Sequence, residues 1–168
     1  SCLTHAISYT PNDYELYISR AQARHALGKF GLAIADYDQT IALQPTHFVA
    51  HYNRGLLRTF VGDLNNAILD FDYIIQVEPS NTLAIYNRAE LRTKVGNYKG
   101  AIADYTKLIR SCPNFYYGYL VRAQLRRKIG DVKGALNDET VVATVHLCDA
   151  FGLWLQLLAG DNHHIRSG

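Results

Sequence analysis

Along this chain, stretches of roughly fourteen residues carry apolar or small side chains at helical spacing, and short polar breaks separate them. The segment NTLAIYNRAELRTKV, residues 81–95, is one of these. Its period predicts an amphipathic α-helix. Asn12, Thr46, Ser80 and Asn114 each follow a proline and open such a stretch. They are expected as N-caps, because a side-chain oxygen can satisfy a free N–H of the first turn. Gly28, Gly62, Gly96 and Gly130 close the stretches, where a left-handed residue ends a helix. Asp63, Asn97 and Asp131 come next and are expected to cap a second helix. That second helix runs to the following proline, which cannot continue it.

The pattern repeats with one period. The four prolines, Pro11, Pro45, Pro79 and Pro113, stand thirty-four residues apart. The turn glycines keep the same step, as do Ala33, Ala67, Ala101 and Ala135 and Asp36, Asp70, Asp104 and Asp138. Four residue types locked to one period predict stacked helix pairs, since one pair cannot bury its apolar face alone. Ala21, Gly55, Ala89 and Ala123 lie midway along the first helices, opposite the bulkier Tyr37, Phe71 and Tyr105 one turn beyond the second-helix alanines. Small against large lets two helices interdigitate without voids.

These columns resemble the tetratricopeptide repeat family: a small residue in the first helix, Gly at the turn, Ala and an aromatic in the second helix, and a closing Pro. The resemblance covers 14–47, 48–81, 82–115 and 116–149, with 1–13 as the end of a truncated preceding repeat. It implies an all-α, right-handed superhelical solenoid. It also implies a non-catalytic scaffold that binds a protein or peptide in a groove lined by the first helices, with no cofactor. The phrases YNRGLLR and KGAIADYTK resemble, more loosely, repeats of long Bacteroidetes proteins. A structural or assembly domain of a longer cell-envelope protein, periplasmic or at the envelope, is therefore the alternative. Two departures from the family pattern matter. Large apolar and Tyr positions of the first helix are Arg here, and repeat four has Glu139 and Leu147 where its predecessors have an aromatic and Pro.

The arginines form two columns: Arg20, Arg54, Arg88 and Arg122, and Arg24, Arg58, Arg92 and Arg126. Four residues apart, each pair shares a helix face and repels itself, so an anion is expected nearby. Either the columns grip phosphate, nucleic acid or an acidic peptide, or their partners are the internal aspartates Asp36, Asp70, Asp104 and Asp138, one per repeat. An internal ladder suits arginine, whose fork can bond a carboxylate and nearby carbonyls together. A net charge of +2 favours the ladder and argues against nucleic acid as the main partner.

Helical geometry places another set of residues away from the packing alanines. These groove candidates are Ile18 and Gln22 in repeat one, and Val49, Tyr52, Asn53 and Leu56 in repeat two. Leu83, Tyr86, Asn87 and Glu90 follow in repeat three, and Tyr117, Leu120 and Gln124 in repeat four. Tyr52 and Tyr86 offer amphipathic area at low entropic cost, and Asn53 and Asn87 can bond a peptide backbone. The same side chains could instead pack between repeats. Some family members clamp a C-terminal carboxylate on this face with Lys, Asn and Arg. The matching positions here, Ile18, Gln22, Asn53, Leu83 and Asn87, lack the cations, which disfavours that role.

Composition changes little. An apolar fraction of 48% with 19% charged residues argues against disorder. No apolar run is long enough to span a bilayer, and the first ten residues do not read as a signal peptide. With no Met at any position, the chain is expected to be processed or cut from something longer. Cys2, Cys112 and Cys148 have no Cys-x-x-Cys spacing, so neither a disulfide framework nor a zinc site is expected. His25, His47 and His51 have no acidic or thiol partners at ligand or triad spacing, and His51 shares a column with Tyr17, Ile85 and Tyr119. After Asp149 the periodicity stops and AFGLWLQLLAG follows. Residues 150–168 are expected as a capping helix with a polar tail; the alternative is self-association through 150–158.

Overall fold

The computed structural model describes residues 2–161, with side chains described through 147 except that of 146. Among the described residues there are nine α-helices and no strand. Helix α1 (Cys2–Tyr9) is followed by the pairs α2 (Tyr14–Ala26) with α3 (Phe30–Leu43) and α4 (Phe48–Phe60) with α5 (Leu64–Val77). The pairs α6 (Thr82–Lys94) with α7 (Tyr98–Ser111) and α8 (Tyr116–Lys128) with α9 (Val132–Asp161) complete the chain. It divides into two compact units, Ser1–Asp104 and Tyr105–Gly168.

The turn inside each pair is built by its glycine. Gly28 has φ +71° and Gly62 φ +86°, a conformation that L side chains resist. The Gly28 N–H then reaches the His25 carbonyl at 2.9 Å and the Lys29 N–H reaches the Arg24 carbonyl at 2.8 Å. Together these close the Schellman pattern. Asp63, Asn97 and Asp131 make the second of these bonds, also at 2.8 Å, to the carbonyls of Arg58, Arg92 and Arg126.

The caps differ from expectation by one residue. Asp13, His47 and Asn81 cap the first helices, accepting from Glu15, Ala50 and Ala84, while Phe115 caps α8 without a side-chain bond. The reason is the turn itself. His47, Asn81 and Phe115 each donate a backbone N–H to the residue three back, Gln44, Glu78 and Cys112. Proline and the residue after it thus occupy the two corners of a β-turn, which moves the cap on by one. Of the second-helix caps, Asn97 and Asp131 accept from the N–H of Gly100 and Gly134. Asp63 makes no such bond and instead accepts from the Asn66 side chain.

The small and large columns form the core. Ala21, Ala33, Ala50 and Leu57 are buried with Tyr37, and Phe71 and Tyr105 are fully enclosed. A Cβ on Gly55 would stand 3.0 Å from the Phe71 ring, so the close helix approach requires the small residue there. The last helix departs from expectation. With Leu147 in place of proline, α9 runs unbroken for 30 residues, so no separate helix begins after Asp149. The capping and self-association readings of 150–158 fall on side chains outside the described residues, and the polar tail from 162 lies outside them altogether.

Candidate functional site

Each arginine pair meets one buried aspartate. Arg20 donates from Nε and Nη2 to Asp36, the latter at 2.6 Å, and Arg24 Nη1 donates to the other carboxylate oxygen at 2.7 Å. Asp70 receives Arg54 and Arg58, and Asp104 receives Arg88 and Arg92 in the same way, with Arg58 and Arg92 each at 2.8 Å. In the second unit Asp138 takes Arg122 at 2.6 Å and Arg126 at 2.9 Å. All four aspartates are at most 3% exposed. Two guanidinium groups on one carboxylate compensate its loss of hydration, and the shared anion offsets the repulsion between the arginines.

A second set of acceptors was not visible as such in the sequence. Asp38 accepts from Arg54 Nη1 at 2.7 Å and lies 3.5 Å from Arg58 Nη2. Asp72 repeats this with Arg88 at 2.6 Å and Arg92 at 3.6 Å. Thr106 Oγ1 accepts from Arg122 Nη1 at 3.0 Å. Each comes from the second helix of one repeat and meets the first helix of the next, so these bonds tie repeats together where the buried aspartates tie helices within a repeat. The hydrogen bonds to Asp36 raise the Arg20 pKa above the ordinary arginine value, despite burial. Burial works against the charge of Arg54 and Arg88, but bonds to their two aspartates outweigh it and the net shift is again upward. These arginines are permanently charged.

His51 sits in the same wall. Its Nε2 is 2.9 Å from the Pro45 carbonyl, as Tyr17 OH is 3.0 Å from that of Pro11, and its ring stacks on Tyr73 at 4.0 Å. Nδ1 lies 3.5 Å from Asp70 without a hydrogen bond. Among the described residues no His, Cys, Asp and Glu cluster could hold a metal ion, and no helix is long and apolar enough to cross a membrane.

The groove candidates divide by burial. Val49, Leu56 and Leu83 are exposed at 47%, 38% and 62%. Ile18, Tyr52, Asn53, Tyr86, Asn87 and Glu90 are half-buried, and Gln22 is exposed. Tyr52 packs edge-on against Phe71, Asn53 bonds the Tyr37 hydroxyl, and Asn87 donates to the Leu83 carbonyl at 2.8 Å while lying 3.5 Å from Tyr52 OH. Tyr52 and Asn53 are therefore committed to neighbouring helices, and Asn87 largely to its own. In the second unit Tyr117, Leu120 and Gln124 are exposed on α8.

Helix pairs with these caps, turns and columns define an α-helical repeat protein, and two of its repeats match the tetratricopeptide repeat family. The family model described as tetratricopeptide repeat matches residues 14–47 and 83–115. Among similar solved structures is MamA, with 19% identity, 88% of this chain and 86% of that chain covered, and a TM-score of 0.73. MamA from Desulfovibrio magneticus is also 19% identical, covering 87% and 82%, with a TM-score of 0.70. A tetratricopeptide repeat protein from Parabacteroides merdae is 30% identical over 84% of this chain and 56% of that one, with a TM-score of 0.59. No curated protein sequence gives a significant match. The repeat class is one of protein-interaction scaffolds, and that coarse role is supported here.

Proposed function

We propose that the chain is a non-catalytic scaffold that receives a protein segment, extended or helical, on the open face of α4 and α6. One observation carries this reading: Val49, Leu56 and Leu83 stand exposed on the first helices while the arginines of the same helices are spent inside. An apolar strip beside the half-buried amides of Asn53 and Asn87 suits a peptide whose side chains alternate between anchoring and pointing to water. The arginine columns, on this reading, hold the repeats in register and take no part in capture.

The test is affinity capture with the chain as bait, followed by mass spectrometry, for the parent and for the triple variant Val49→Ser, Leu56→Ser, Leu83→Ser. These side chains are exposed, so helical content and melting are expected to hold. Loss of the captured protein supports the face; undiminished capture by the folded variant rejects it.

A further inference from the structure

Five of the six lysines, Lys29, Lys94, Lys99, Lys128 and Lys133, stand at the turns between the two helices of a pair. Two of them suit their helices: Lys94 and Lys128 lie in the last turns of α6 and α8, where the dipole favours a cation. The other three do not. Lys29 is the N-cap of α3 and makes no side-chain cap bond, while Lys99 and Lys133 are the second residues of α7 and α9. A cation there opposes the helix dipole. None of α3, α5, α7 and α9 has an acidic residue in its first turn to compensate. Local helix stability therefore gives no reason for these lysines.

In the first unit the charge is polarised between two edges. On the edge of the turns within pairs, Lys29, Lys94 and Lys99 are exposed, and the half-buried Asp63 is bonded to the Asn66 side chain. On the opposite edge, where one pair joins the next, the sign reverses. The loops 10–13, 44–47 and 78–81 hold Asp13 and Glu78 and no Lys or Arg, and Glu15 follows in the first turn of α2. The basic edge also carries large apolar side chains: Phe60 is 71% exposed, Val61 48% and Val95 39%. Phe60 shares a column with Lys94, and Val61 with Val95, so apolar tips and cations stand side by side from one repeat to the next. In the second unit the same composition recurs, with Ile129 and Val132 exposed beside Lys128 and Lys133.

We propose that the edge formed by the turns within pairs docks on an anionic lipid surface. The lysines meet the headgroups, and Phe60, Val61 and Val95 enter the interfacial layer. Exposed apolar side chains among cations are the composition of interfacial binding. The type of cation points the same way. A lysine is a flexible, hydrated point charge suited to a diffuse field, whereas the arginine fork suits a fixed carboxylate, and this chain keeps its arginine columns on internal aspartates. The net charge of +2 conceals the edge because the carboxylates lie elsewhere. The edge contains none of Val49, Leu56 and Leu83, so it stands or falls separately from the open face of α4 and α6.

The test is co-sedimentation of the whole chain with vesicles of phosphatidylcholine alone and of phosphatidylcholine with about one part in three phosphatidylglycerol. Binding is expected to the anionic vesicles only, and to be released by about 0.5 M NaCl. Lys94→Gln with Lys99→Gln is expected to weaken partitioning about twentyfold, the factor that ~1 kcal/mol for each lysine converts to. Phe60→Ser should weaken it about threefold or more. Lys107→Gln is the control: this sixth lysine lies on α7 about 12 Å along the helix from Lys99, and its loss should change partitioning less than twofold, or about 0.4 kcal/mol. Far-UV circular dichroism checks that each variant stays folded. Equal sedimentation with both kinds of vesicle, or with neither, overturns the proposal. So does unchanged partitioning of the folded Lys94→Gln, Lys99→Gln variant or of Phe60→Ser, or an equal loss with Lys107→Gln. Binding to polyglutamate while anionic vesicles leave the chain in solution assigns the edge to an acidic protein and overturns it as well.

Discussion

In repeat two, Arg54 and Arg58 face two carboxylates, one from their own repeat and one from the repeat before; in repeat one, Arg20 and Arg24 face Asp36 alone. The arginine positions are the same, and so is the buried aspartate. What changes is the group from the preceding helix, Asp38 in one place and Thr4 in the other. The comparison separates two tasks that a single arginine fork performs. Its Nε and Nη2 side clamps the two helices of a pair, and its Nη1 side fastens one pair to the next. Repeat one retains the first task in full, and the preceding helix offers Thr4 at the second position.

Making repeat two resemble repeat one is the direct way to break this comparison. The largest effect is expected from Leu57→Ala, which removes a buried side chain from the cluster on which Phe30, Ile34 and Ile41 pack. Removing a buried leucine should cost about 3 kcal/mol in urea unfolding, whereas Ala23→Leu, at the exposed counterpart position, should not destabilise. A cost under about 0.5 kcal/mol for Leu57→Ala would mean that the neighbouring side chains collapse into the space. Next comes Asp38→Ala, which removes the inter-repeat carboxylate alone. Asp38 is partly exposed, and about 1 kcal/mol is expected by the same measurement.

The smallest effect belongs to a pair outside the ladder. Glu139, in the column of Tyr37, Phe71 and Tyr105, receives Arg127 at 2.9 and 2.7 Å on the surface. These bonds hold its carboxyl below the ordinary glutamate range. The sign follows from the depressed value: the pair contributes above the unfolded-state pKa and loses its contribution as pH falls through the folded one. NMR titration of Glu139 should show the lowered midpoint, and Arg127→Ala should return it to the ordinary range with little change in melting.

The helix pairs and the within-repeat partners were legible because they recur without change: a proline, a glycine, an alanine and an aspartate at every step. The inter-repeat partners were not, because their column reads Asp38, Asp72, Thr106 and mixes two chemistries that accept the same arginine hydrogen bond. The cap positions were displaced by one residue because a backbone turn, unseen in side-chain identity, takes the residue after proline. The open face was legible only in outline. Tyr52 and Asn53 have the composition of a contact surface, yet Phe71 and Tyr37 claim them, and only three-dimensional neighbours decide that. Helix α9 outran its expected end because a missing proline removes a stop and supplies no start.

The central claim is that the arginine columns hold the repeats together. Urea unfolding of Arg88→Ala tests it most directly, since Arg88 bridges Asp104 of its own repeat and Asp72 of the one before. The account predicts a loss of about 3 kcal/mol, because the variant strands the buried Asp104 beside Arg92 alone. An unfolding midpoint equal to that of the parent chain would contradict it and return the arginines to the role of an external anion grip.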